Sequence, residues 1–178
     1  IQYLQAMMEA GRVLEAYQAV DDQSRALAYW LGDYGFDYKE SDAELTNDEI
    51  AGLLAAHRER HPDDPLGAYL RGVRLSERGQ YVEAAAEQRE AGMLAGEDEW
   101  IAKVSGSALQ TALVRSGKPL DAYRRDASLG TRFADELPSS RFATLASLCR
   151  TYHRWDELRA LMAEHRLQHP DDPGLQLC

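Results

Sequence analysis

Cysteine is nearly absent from this chain. Cys149 and Cys178 are the two it has in 178 residues, too far apart to suggest a metal knuckle or a redox pair, and no disulfide framework follows from them. Cys149 is expected at an inward position of a helix, where a thiol behaves as a small hydrophobe. Basic residues are also short. Lys and Arg number 20 against 30 Asp and Glu, a formal charge of −10. That balance argues against nucleic acid as a partner, because neutralising phosphates needs a surplus of cations. A neutral or basic protein fits such a surface better. No apolar run approaches the ~18–20 residues that a membrane span requires. The opening residues lack the basic-then-apolar pattern of a secretory signal, so nothing in them indicates export and a cytoplasmic location is favoured. Neither a G-x-S-x-G elbow nor a Gly-rich phosphate loop after a strand occurs, so no catalytic residue and no cofactor is expected.

What the chain does have is apolar content with helical spacing. Hydrophobic residues make up 44%, too many for a disordered segment, and the length suits one ordinary domain or an elongated repeat array. From Pro65 to Gly96 small and apolar residues recur as in a two-helix hairpin. The first helix carries Ala68, Gly72 and Leu75 on one stripe, Arg78-Gly79-Gln80 turns the chain, and the second helix carries Tyr81, Ala84, Ala85, Gln88 and Ala91. Gly79 can take the φ > 0 of a helix end, and small residues at Gly72 and Ala84 let two backbones approach closely. On Gly72, Leu75, Gly79, Tyr81, Ala84 and Ala91 the stretch resembles a tetratricopeptide repeat. The resemblance implies an all-α solenoid of antiparallel helix hairpins, wound as a right-handed superhelix with a long groove. It also implies a non-catalytic scaffold or regulatory module that binds a protein or peptide, within a larger protein carrying further repeats or domains.

A second signal is internal. His57-Arg-Glu-Arg-His-Pro-Asp-Asp-Pro65 returns as His165-Arg-Leu-Gln-His-Pro-Asp-Asp-Pro173, 108 residues later. Three units of about 36 residues fit that interval, close to the ~34 of tetratricopeptide repeats. In each copy the Pro after His stops one helix, an Asp can cap the next, and the second Pro suits its first turn. The organisation expected is a partial repeat over 1–21, taken as the second half of a unit, and an irregular repeat over 22–62 with an acidic, aromatic insert. The best-formed repeat covers 63–96, a divergent one 97–137 and a further one 138–170, and 171–178 starts another.

Several residues are candidates for function. Arg71, Arg74 and Arg78 form an i, i+3, i+7 stripe, and the repeat pattern usually has apolar or small side chains at the places of Arg71 and Arg74. The stripe reads either as a grip for a partner carboxylate or as a surface paired with acidic residues of this chain. As a grip, it predicts that Arg71→Glu with Arg74→Glu weakens partner capture and leaves helix content intact. Leu66, Tyr69 and Val73 make an apolar strip on the face that lines the groove in such superhelices. The family's carboxylate-clamp subgroup uses Lys and Asn at the places held here by Tyr69 and Val73, so that function is not expected. Tyr34, Phe36 and Tyr38 in the 33–49 insert are candidate interface anchors. His57/His61 and His165/His169 are i, i+4 pairs that, with Asp63, Asp64, Asp171 or Asp172, could hold a divalent metal. Helix-end histidines duplicated with the repeat account for them more simply, and no metal is expected. Two further readings stand beside the scaffold: a regulatory or sensor arm of a multidomain enzyme, and a metal-binding helical module built on the His pairs.

Overall fold

A computed structural model describes residues 2–31, 45–124 and 138–176. Among them are ten α-helices and no strand: α1 (Gln2–Glu9), α2 (Val13–Gln18), α3 (Gln23–Leu31), α4 (Asn47–Arg60), α5 (Pro65–Glu77), α6 (Tyr81–Leu94), α7 (Glu99–Arg115), α8 (Pro119–Tyr123), α9 (Pro138–Thr151) and α10 (Trp155–Gln168), followed by a 3₁₀ turn at Pro173–Gln176. Tyr34, Phe36 and Tyr38 lie outside the described residues. No helix among those described is long and apolar enough to cross a membrane.

Helix ends follow from identifiable side chains. Thr46 and Glu49 close a reciprocal capping box at the start of α4. Asp64 caps α5 through the Leu66 N–H, with Pro65 in the first turn, and Asp98 caps α7 through the N–H groups of Trp100 and Ile101. One turn recurs four times. At Gly11, Gly79, Gly117 and His153 the backbone takes positive φ of 72°, 77°, 80° and 55°. In each case the following N–H reaches back to the fifth carbonyl before it: Arg12 to Met7, Gln80 to Leu75, Lys118 to Leu113 and Arg154 to Cys149, at 2.7–2.9 Å. This is a Schellman close, which satisfies the last carbonyls of one helix and reverses the chain into the next. The turn at Gly11 divides the opening stretch into α1 and α2, where the sequence pattern suggested half a unit running through that glycine.

Packing is sequential. Every substantial helix contact joins elements that are neighbours or next-but-one in chain order: α5 on α6, α6 on α7, α5 on α7, α7 on α9, α8 on α10, α2 on α4. The apolar interior is divided accordingly. One cluster, including Leu109, Val114, Phe142, Leu145 and Leu161, joins α6 to α10; another, including Tyr17, Leu27, Leu53 and Leu70, joins α2 to α5. Between α5 and α6 a Cβ at Gly72 would lie 2.4 Å from Gln88 Nε2, so a larger residue there would have to displace the buried Gln88 side chain. Trp155 is half exposed, because it opens α10 at the turn.

Candidate functional site

Between α5 and α7 runs an open groove of about 430 Å³, lined by Tyr69, Val73, Ser76 and Glu77 from α5, by Gln88 from α6, and by Val104, Ala108 and Arg115 among others from α7. The two helices also pack directly on each other. Tyr69 and Trp100 meet edge to face at one end, with ring centroids 6.3 Å apart. Small side chains, Ser76, Ser107, Ala108 and Thr111, keep the middle open. Gln88 donates from Nε2 to the Tyr69 carbonyl at 3.1 Å, whereas its buried Oε1 meets no donor among the described residues. At the far end, the Arg115 guanidinium lies over the rings of Tyr81 and Tyr152, 4.1 and 5.0 Å from their centroids.

The apolar strip is thus divided. Tyr69 and Val73 line the groove, and Leu66 packs instead against the cluster of α2 to α5. The arginine stripe is engaged inside the chain. Arg71 is buried and donates from Nε to Glu87 at 2.8 Å, with Glu90 at 3.7 Å. Arg74 holds Glu77 and the Leu31 carbonyl, and Arg78 reaches the Asn47 carbonyl at 3.3 Å. Arg58 joins the same group, 3.0 Å from Glu87, so two arginines and two glutamates tie α4, α5 and α6 together. Charge reversal at Arg71 would set a carboxylate against Glu87 and Glu90 in a buried place. Intact helix content in that variant is therefore no longer the expected outcome.

The duplicated histidines belong to two matching relays. Tyr17 Oη lies 2.7 Å from His57 Nδ1, and His57 Nε2 lies 2.6 Å from Asp64 Oδ2. Tyr123, His165 and Asp172 repeat this at 2.7 and 2.9 Å. Both imidazoles are fully buried. An ionised carboxylate only accepts, so Nε2 carries a hydrogen, and in the neutral imidazole Nδ1 then accepts from the phenol. Burial pushes both phenols above their ordinary pKa. Burial alone would raise Asp64, but hydrogen bonds from His57, Ser24 and the Leu66 N–H outweigh it and leave the carboxyl below its usual range. Asp172 is held down to about 2 by the Ser139 hydroxyl, the Gly174 N–H and His165. Each relay fastens a tyrosine of one helix to the end of a second and to the cap of a third.

Both nitrogens of His57 and of His165 are therefore engaged. No group of three or more His, Cys, Asp or Glu side chains converges as a metal site among the described residues. The tyrosines escaped notice in the sequence, although a signal was present: Gly11-Arg-Val-Leu-Glu-Ala-Tyr17 returns as Gly117-Lys-Pro-Leu-Asp-Ala-Tyr123, 106 residues on.

A second cleft, of about 530 Å³, lies between α2 and α4 and is bordered by Glu15, Asp48 and Glu49, with its arginine, Arg12, already paired to Glu15. No protein-family model matches the chain, and no curated protein or solved structure matches it.

Proposed function

We propose that this chain is a helical-repeat module, similar to tetratricopeptide repeats, that binds a protein or peptide segment in the groove between α5 and α7. The observation that carries the reading is the groove itself, along which α5 and α7 present Tyr69, Val73, Val104 and Ala108 beside small side chains. Among the described residues, the substantial contacts between neighbouring and next-but-one helices support a stack of hairpins. The fourfold Schellman turn supports a common unit. Recognition in such a groove comes from shape and a few anchors, with no chemistry of the module's own. Val73→Arg or Ala108→Arg fills the groove with a charged side chain and leaves the cores untouched. Either variant is expected to abolish capture of the chain's partner by the full-length protein while its thermal melt stays unchanged. Undiminished capture by both would remove the groove from the binding surface.

A further inference from the structure

We infer that the segment bound in the α5–α7 groove is extended, apolar at one end, and carries a single side-chain carboxylate about five residues away that is gripped by Arg115; this rests on the groove reading above. In a chain of charge −10, surface arginines are expected to find a carboxylate of their own. Arg12, Arg58, Arg71, Arg74, Arg124, Arg154 and Arg159 do so. Arg115 does not. Half-buried at the end of the groove, it has no carboxylate within ion-pair distance among the described residues, and its contacts are the faces of Tyr81 and Tyr152. Ring contact orders a guanidinium through its π surface and leaves its in-plane N–H fork available, the arrangement that receives a carboxylate in two-pronged fashion.

The position is further fixed from behind, because Arg154 donates to the Arg115 carbonyl and so ties the end of α7 to the start of α10. An arginine already ordered loses less entropy when it binds than a free one would. The occupant's length follows from helix geometry. Val104 and Arg115 are eleven residues apart on α7, about 16 Å along the axis. An extended chain covers that in about five residues. Glu77 lines the same groove and the whole chain is acidic, so a second carboxylate would be repelled. The occupant is accordingly neutral or basic outside its one acidic residue.

A random library of 12-residue peptides, displayed with the C-terminus fused to the carrier so that any selected carboxylate is a side chain, tests this directly. The intact chain is expected to enrich Asp or Glu about five residues from an apolar residue by roughly tenfold over the unselected library. Arg115→Gln should lose that preference and keep the apolar one, and Arg115→Lys should retain the acidic preference in weakened form. Exchange of Glu for Gln in a selected peptide reads the same contact without altering the protein. Fluorescence anisotropy should show about tenfold weaker binding, or 1.4 kcal/mol. Equal affinity of the two peptides, or an acidic preference that survives Arg115→Gln, would overturn the carboxylate inference; the groove reading would stand if Val73→Arg still abolished selection. If no peptide is selected whose binding Val73→Arg removes, both fall together.

Discussion

Tyr17 donates its phenolic hydrogen to His57 Nδ1 over 2.7 Å, and Tyr123 does the same to His165 over the same distance. Neither imidazole touches solvent. The first relay joins α2, α4 and α5; the second joins α8, α10 and the closing 3₁₀ turn. Each therefore fastens three separate elements to one another.

Tyr17→Phe deletes a hydroxyl and leaves a buried imidazole nitrogen without its donor. The cost expected is about 1–3 kcal/mol, since an orphaned buried acceptor loses its solvation as well as its bond. A drop in melting temperature of roughly 2–4 °C per kcal/mol should be visible by circular dichroism. Tyr123→Phe should behave alike. An unchanged melt for both would mean the relays merely accompany the packing around them.

Acid should loosen these junctions. A carboxyl whose folded pKa lies below its unfolded value contributes stability above the unfolded value, and loses it as pH falls through the folded one. Asp172, held at about 2 against an ordinary 3.8, places that loss between those pH values, and Asp64 shifts in the same direction. Melting temperature measured from pH 5 to pH 2 should fall across this window. Asp172→Asn, which keeps a capping side chain and removes the ionisation, should flatten part of the fall; a curve parallel to the wild type would contradict the assignment.

Arg71→Ala leaves Glu87 facing Arg58 alone, partly buried, at the junction of α4, α5 and α6. Breaking a buried pair costs about 3–5 kcal/mol, and the slight exposure of both partners puts the expectation near the lower end, roughly 3 kcal/mol. Urea denaturation should show it as a lower midpoint. Arg78→Ala, whose side chain is exposed and meets only a carbonyl in α4, should change the midpoint little. Equal effects from the two would show that burial of Arg71 contributes nothing.

Local rules made much of the architecture legible. Asp64-Pro65 marked a helix start, Gly79 marked a turn, and the spacing of small and apolar residues placed Ala84, Ala85, Gln88 and Ala91 on the inner face of α6. Gly11 was harder to place because the residues on both sides of it continue an apolar helical spacing. Only the positive φ at that position separates α1 from α2. His153 gave no glycine to read at all, yet it occupies the same left-handed conformation.

Side-chain destinations across helices were another matter. Arg71, Arg74 and Arg115 are alike in sequence terms: arginines on first helices of hairpins. Arg71 meets Glu87 from the next helix, Arg74 meets a carbonyl 43 residues away, and Arg115 meets two tyrosine faces. The sequence by itself determined that the chain is helical, where most helices begin and turn, and that a block ending in Pro-Asp-Asp-Pro is used twice, because capping, turn geometry and periodicity act within a few residues. Only the tertiary structure decided that Arg71 and Arg74 are held by carboxylates of this chain while Arg115 lies against two rings in a groove, and that each duplicated histidine is enclosed between a tyrosine and an aspartate. Those outcomes depend on which helix faces meet, and partners separated by up to about forty residues are brought together by packing that no local pattern encodes.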